Sequence, residues 1–132
     1  MSNRANQLHE MGQSLWVDNI TRSMLAEGRL ARYIEEMSVT GLTSNPTIFD
    51  NAIGSGSAYD DSVRGLHDQG REGEDLFFEL ALEDLRQAAD LFVAAHERTD
   101  GVDGWASLEV SPKIAVIRLS LFRSPATCSA SW

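Results

Sequence analysis

The chain has 132 residues, an apolar fraction of 42% and a formal net charge of −9. The length fits one ordinary domain, and the apolar fraction is sufficient for a packed core, so the composition excludes a disordered chain. The acidic balance argues against a nucleic-acid partner, because no basic patch is available to meet phosphates.

No stretch approaches the roughly 20 apolar residues that a membrane-spanning helix needs. The first 13 residues also lack the apolar core of a signal peptide. Cys128 is the one cysteine in the sequence, so no internal disulfide can form, which is typical of a reducing compartment. We therefore expect a cytoplasmic protein that contacts neither nucleic acid nor membrane.

The N-terminal part of the chain predicts one strand and two helices. Residues 14–19 (SLWVDN) form a short apolar run that includes Asp18 near its end and is typical of a strand. Thr21 then has the residue type of a helix N-cap, and Gly28 has that of a C-terminal stop. Residues 29–37 continue as a second helix with apolar residues at helical spacing.

The next segment predicts a second strand and the start of another helix. Residues 39–44 (VTGLTS) are typical of the strand. Asn45 matches a helix N-cap and Pro46 matches the first helical position, with Gly54 closing the helix. Residues 57–70 are polar and predict a helix or a loop.

The longest helix is predicted over residues 74–99, with a break near Ala81. The carboxylates of 72–84 are expected on its solvated face. Its apolar stripe is expected in the core and includes Phe77, Phe78, Leu82, Leu85, Ala89 and Phe92. Residues 105–111 (WASLEVS) predict a third strand. The order β-α-β-α-β with long crossovers predicts parallel strands.

Polar side chains lie at the carboxyl end of each predicted strand. Side chains alternate between the two faces of a strand, so each strand has one apolar face and a second face that becomes polar at its end. The carboxyl ends of parallel strands are where α/β enzymes place their chemistry. The sequence therefore predicts Asp18 and Glu109 as proton-transfer groups. It predicts Thr43 and Asn45 as residues that hydrogen-bond a substrate.

Structural roles for the same residues remain open at this point. Asn45 before Pro46 is also explained as a helix cap, a role that is compatible with substrate binding. Asp18 can equally cap the helix that follows it. Glu109 is harder to explain structurally, because an inward carboxylate between apolar neighbours is costly unless it is paired. The histidines show no metal-ligand spacing, so no metal site is predicted.

Three segments resemble, in order and spacing, the first three strand segments of transaldolases: GQSLWVDNITR (12–22), VTGLTSNPTIF (39–49) and DGWASLEVSP (103–112). The resemblance covers about residues 7–112. It implies an α/β fold, a (β/α)8 TIM barrel of the class I aldolase type, of which this chain would hold about the first three βα units. It also implies a transferase of carbohydrate metabolism that moves a dihydroxyacetone unit between sugar phosphates in the pentose phosphate pathway, with no cofactor.

The resemblance implies a role for each strand-end residue. In this family a lysine forms a Schiff base with the ketose donor, and the protonated imine accepts electrons during C–C cleavage. Asp18 matches the aspartate that handles the donor hydroxyl proton. Glu109 matches the glutamate that relays protons, through water, to imine formation. Thr43 and Asn45 match residues that line the dihydroxyacetone pocket.

The Schiff-base lysine has no counterpart in this sequence. The family carries it on the fourth strand, in a segment resembling LFIKIP, whereas here Pro112 is followed by KIAVIRLSLFRSPATCSASW. Lys113, the one lysine in the chain, lies at a strand exit and is not expected to replace it. All 20 acidic residues lie within 1–112 and none lies within 113–132. We expect 1–112 to be the N-terminal part of a transaldolase barrel and 113–132 to be a divergent tail, for which we hypothesise translation out of frame.

A truncated transaldolase is expected to be inactive alone, because removal of a covalent nucleophile costs many orders of magnitude in rate. The alternative is a non-catalytic interaction protein built from three βα units. Three strands cannot close a barrel, so such a protein would self-associate or bind a partner through its open sheet edges.

Overall fold

A computed structural model describes residues 4–109, and every structural statement below concerns this part of the chain. The predicted tail 113–132, with Lys113, and the end of the predicted third strand lie outside the described residues. In chain order the elements are α1 (Arg4–Glu10), β1 (Leu15–Asp18), α2 (Arg22–Ala26), α3 (Arg29–Met37), β2 (Val39–Ser44), α4 (Pro46–Gly54), α5 (Asp60–Asp68), α6 (Gly73–Arg98) and β3 (Trp105–Leu108).

The strands form one parallel sheet in the order β1-β2-β3, which confirms the predicted βα order. Its register aligns Asp18 with Thr43, and Thr43 with Ser107. The pairing of β1 with β2 shifts between Leu15 and Trp16, so the regular ladder begins at Trp16. Helices supply both crossovers, as parallel strands require.

Helices cover one face of this sheet and create the core there. Leu42 and Ala106 point into that core and are fully buried, together with Leu85 and Phe92 of α6. Burial of one large apolar side chain stabilises the fold by roughly 1.5–3 kcal/mol. Because α6 contacts both β2 and β3, it fixes the crossover that sets the position of β3.

The long helix α6 departs from the sequence prediction in two ways. It is continuous over 26 residues, so the predicted break near Ala81 is wrong. Ala81 is fully buried within it, and alanine is the residue type that most favours a helix. The prediction that the carboxylates of 72–84 all face solvent is also wrong, because Asp84 is fully buried. The predicted core position of Phe92 is confirmed.

The predicted helix boundaries at α2 and α4 are confirmed by their caps. Thr21 Oγ1 and Asn45 Oδ1 each accept the backbone N–H three residues later, at 3.1 and 3.0 Å. Gly28 has a φ of 69°, a left-handed conformation that ends α2 and lets α3 begin at once. For the segment 57–70 the sequence predicted a helix or a loop, and the structure has the helix α5 there. The helix α1 was not predicted.

Candidate active site at the strand ends

The carboxyl ends of the strands bring polar side chains to one edge of the sheet. Asp18, Thr43 and Ser107 form a single cross-strand row, since the register pairs each with the next. Neighbouring strands are about 4.8 Å apart, so the row spans only two such spacings. Asp18 is exposed, Thr43 is half-buried and Ser107 is buried. Ser107 was not among the predicted site residues, although it shares its strand face with Glu109.

Asn45 follows β2 directly and caps α4. Its backbone is extended, with φ −141° and ψ 167°, which aims the side chain back at the first turn of the helix. Its Oδ1 accepts the N–H of Ile48 at 3.0 Å. The amide NH₂ group of the same side chain is then left to donate to a ligand. The cap and the predicted substrate contact are therefore compatible on one half-buried side chain.

Glu109 follows β3 at the same edge of the sheet. Its backbone N–H donates to the carbonyl oxygen of Ser44 at 2.9 Å, which extends the pairing of β3 with β2 beyond the last strand residue. Ser44 Oγ also donates to the carbonyl oxygen of Ser107 at 2.8 Å. These two bonds fix the Glu109 backbone beside the end of β2. The Glu109 side chain is exposed and not enclosed between apolar neighbours, so no desolvation cost applies to it.

An indole ring lies one layer below the polar row. Trp16 is two residues before Asp18, and its register partner on β2 is Gly41. A Cβ atom added to Gly41 would lie 2.4 Å from Cε2 of Trp16, so the ring lies directly on the glycine backbone. Trp16 nevertheless remains 43% exposed. The face opposite the core therefore carries an aromatic layer with the polar row above it.

A second polar cluster lies in the helical layer and was missed by the sequence prediction. The buried carboxylate of Asp84 accepts hydrogen bonds from Arg22 Nε at 2.8 Å and from the Tyr59 hydroxyl at 2.6 Å. Arg22 also donates to Ser62 Oγ at 2.6 Å and pairs with Glu83. Burial raises the pKa of both Asp84 and Tyr59. No local pattern signals this cluster, because its members are far apart in the sequence.

The cluster links α2 to α5 and α6 through side-chain hydrogen bonds. A surface pocket beside it is lined only by helical residues, namely Arg22, Ala26, Ser62, Glu83, Arg86 and Gln87. Within residues 4–109, no group of three or more His, Cys, Asp or Glu side chains is arranged to hold a metal ion. No helix of the described chain is long and apolar enough to cross a membrane.

Parallel strands with helical crossovers, a helix-covered face and polar strand ends define an α/β protein. Residues 15–116 match the family model described as transaldolase/fructose-6-phosphate aldolase. The chain belongs to this family, which implies a TIM barrel fold.

Individual proteins similar to this chain are named transaldolase. The chain is 41% identical over 113 residues to the transaldolase of Thiobacillus denitrificans. It is 43% identical over 115 residues to the transaldolase of Thermobifida fusca. These alignments cover 86% and 87% of this chain but 32% and 31% of the relatives. The chain thus spans about a third of the length of the curated relatives that it matches.

Proposed function

We propose that residues 1–112 supply the first strands and one half of the active site of a transaldolase, a transferase that moves a dihydroxyacetone unit between sugar phosphates. The observation that carries this proposal is the single strand-end row that contains Asp18 and Thr43, flanked by Asn45 and Glu109. The family membership makes sugar phosphates the expected substrates. The single cysteine favours a cytoplasmic setting.

In the proposed reaction, the amine of a lysine attacks the ketone of the donor, and loss of water gives a protonated imine. Asp18 removes the proton from the donor hydroxyl beside the bond that breaks. The electrons of that C–C bond then move into the imine, which yields an enamine and releases an aldehyde. Glu109 relays protons through water during imine formation, and Thr43 and Asn45 hold the donor hydroxyls. The enamine attacks a second aldehyde in the reverse sense.

The lysine of this reaction is proposed to come from outside residues 1–112. Lys113 is the one lysine in the sequence, and it follows the proline that ends the family-like segment DGWASLEVSP. We propose that 113–132 is a divergent tail and that the 132-residue chain is inactive alone. Borohydride reduction in the presence of fructose 6-phosphate should leave the chain unmodified. A trapped adduct on Lys113 would contradict this assignment.

A chimera tests the proposed function directly. Residues 1–112 are fused to the part of the Thermobifida fusca transaldolase that follows the segment matched by this chain. We expect the fusion to transfer a dihydroxyacetone unit from fructose 6-phosphate to an aldose phosphate. Within it, Asp18→Asn should lower kcat by about 10²–10⁴-fold, the usual contribution of general acid–base catalysis.

Asp90→Asn is the matched control in the same chimera, because Asp90 is an exposed carboxylate on α6, away from the strand ends. It should leave kcat unchanged. A folded chimera without transfer activity would contradict the proposed function. So would a chimera in which Asp18→Asn is as active as the parent.

A further inference from the structure

A short loop connects the proposed proton-transfer group Asp18 to the helix α2. Asp18 is the last residue of β1 and pairs with Thr43 of β2. Since α2 begins at Arg22, only three residues lie between Asp18 and the helix. Ile20, in the middle of this loop, is fully buried in the core. The direction in which the chain leaves Asp18 therefore depends on how Arg22 is held.

The backbone of Arg22 is held by a tyrosine from a distant part of the chain. The first backbone N–H groups of a helix have no partner within the helix. In α2, Thr21 Oγ1 accepts the N–H of Met24. The N–H of Arg22 donates instead to the hydroxyl oxygen of Tyr59 at 3.3 Å. Tyr59 is buried and directly precedes α5, so this hydrogen bond joins the end of the loop to an element 37 residues further along the chain.

The orientation of the Tyr59 hydroxyl is set by Asp84. The hydroxyl donates its one proton to Oδ2 of the buried Asp84 carboxylate at 2.6 Å, so a lone pair is left to accept the Arg22 N–H. Oδ1 of the same carboxylate accepts from Arg22 Nε at 2.8 Å. The Arg22 guanidinium also lies 4.4 Å from the centre of the Tyr59 ring. Arg22 is thus held at its backbone and at its side chain by the same two residues.

Asp84 connects this arrangement to the neighbouring strand. It lies on α6, the helix that contacts both β2 and β3. β2 carries Thr43, the register partner of Asp18. One helix therefore packs against the strand that carries Thr43 and also holds, through Tyr59 and Arg22, the loop that follows Asp18. The position of the Asp18 carboxylate relative to the rest of the polar row depends on both sets of contacts.

We propose that Tyr59 is a positioning residue for Asp18. Through the N–H of Arg22, it holds the loop so that the Asp18 carboxylate lies within reach of the donor hydroxyl whose proton it removes. This inference rests on the proposed function. Tyr59 itself is buried in the helical layer and contacts no substrate. A general base acts only within hydrogen-bond reach of its proton, and a displacement of about 1 Å can lower a rate about 10²-fold.

Hydrogen exchange in the full 132-residue chain tests whether Tyr59 holds the loop. Tyr59→Phe removes the hydroxyl and keeps the ring beside the Arg22 guanidinium. Amide exchange should become roughly two- to tenfold faster in the segment 18–22, the range expected for the loss of one hydrogen bond, and should change less in α6. Tyr33→Phe is the matched control, because it removes the hydroxyl of the other tyrosine, on α3, and should leave the segment 18–22 unchanged. Equal acceleration in 18–22 and in α6, or none in 18–22, would overturn the inference.

Kinetics of the transaldolase chimera test whether the loop positions Asp18. Tyr59→Phe should lower kcat about tenfold. In a chimera that already carries Asp18→Asn, the same substitution should lower kcat less than about twofold, because no carboxylate remains to be positioned. A general structural defect would lower kcat by the same factor in both backgrounds, and this result would contradict the positioning role. So would an unchanged kcat in Tyr59→Phe.

Asp84→Asn tests the same connection from its other end, and it takes the place of Tyr59→Phe if that variant does not fold. It keeps the shape of the side chain and alters the acceptor that orients the Tyr59 hydroxyl. Its effect on kcat should likewise be lost in the Asp18→Asn background. An inactive parent chimera refutes the proposed function. An active parent whose variants show no dependence on Asp18 refutes the positioning role alone.

Discussion

At the scale of single residues, the contact of Trp16 with Gly41 constrains the sheet face opposite the core. A Cβ at position 41 would lie 2.4 Å from the indole ring, which is closer than atoms can approach. Gly41→Ala should therefore lower the free energy of unfolding by roughly 1–3 kcal/mol, the usual cost of overpacking. Urea denaturation measures this change. Because the obstacle is a half-exposed side chain, Trp16→Ala in the same chain should remove most of the cost.

Gly104 provides the control for that experiment. Its φ is 83°, and an added Cβ would lie 2.4 Å from the backbone nitrogen of His96, which cannot rotate away. Gly104→Ala should destabilise the fold whether Trp16 is present or absent. If Trp16→Ala rescued both glycine variants equally, the contact between the indole and Gly41 would not be the cause.

Asp84 should make stability depend on pH. Burial raises the pKa of Asp84 above its ordinary value and outweighs the hydrogen bonds from Tyr59 and Arg22, which lower it. Such a carboxyl binds its proton more tightly in the folded chain than in the unfolded chain. The unfolding free energy therefore falls as the pH rises from about 4 toward the raised pKa. Asp84→Asn removes this titration, so the Tm of the wild type should fall relative to that of the variant over this range.

A difference in Tm that does not change with pH would contradict the raised pKa. A difference that moved in the wild type's favour as the pH rises would show that the contacts with Arg22 and Tyr59 dominate over burial. Asp90→Asn is again the matched control, because Asp90 is an exposed carboxylate of the same helix.

At the scale of elements, substitutions at the start of α4 distinguish the helix-capping role of Asn45 from its proposed role in substrate binding. Aspartate caps a helix about as well as asparagine, and its charge is favourable at a helix N-terminus. Asn45→Asp should therefore change the free energy of unfolding by less than about 0.5 kcal/mol, whereas Asn45→Ala should cost about 1 kcal/mol. In the transaldolase chimera Asn45→Asp should still raise KM for the donor, because the NH₂ donor is lost. Unchanged KM would leave Asn45 as a cap alone.

The packing of α2, α5 and α6 against one another should depend on one arginine, Arg22. Removal of Arg22 leaves the buried carboxylate of Asp84 without its cation, which typically costs about 3–5 kcal/mol. Chemical denaturation of Arg22→Ala should show a loss of this size. Replacing both partners, as in Arg22→Met with Asp84→Leu, should recover much of it, because no charge then remains buried. If the double variant does not recover stability, the contacts of Arg22 with Ser62 and Glu83 contribute more to the free energy of unfolding than its pairing with Asp84 does.

The same elements show what the sequence could and could not predict. The bounds of β2 and the capping roles of Thr21 and Asn45 follow from neighbouring residues alone, and the structure confirms them. The burial of Asp84 could not be predicted in that way. On α6 it resembles any other carboxylate of a solvated helix face, and its partners Arg22 and Tyr59 lie 62 and 25 residues away. Only the packing of three helices brings them together.

The strand-end site also combines features that the sequence predicts with features that only the structure shows. Alternation of side chains along each strand was sufficient to select Asp18 and Thr43, and the register then placed them in one row. The indole layer formed by Trp16 depends on the pairing of β1 with Gly41, which includes a shift at Leu15 that no local pattern reveals.

At the scale of the whole molecule, the relation between the printed chain and its relatives leads to a prediction about the gene. Residues 15–116 match the transaldolase/fructose-6-phosphate aldolase family model, whereas residues 113–132 contain no acidic residue. We propose a shifted reading frame as the origin of the tail, because a frameshift preserves everything upstream and replaces the composition downstream at one point. Resequencing the coding DNA beyond codon 112 and translating the other two frames should reveal a helix and then a strand with a lysine in a segment like LFIKIP.

The two results of that measurement have different physical consequences. If a second frame restores the lysine strand, the polypeptide read in that frame carries the lysine of the proposed reaction in the same chain as Asp18 and Thr43. If no frame restores it, the frameshift hypothesis is wrong, and the reaction proposed for residues 1–112 has no source of its lysine in this gene.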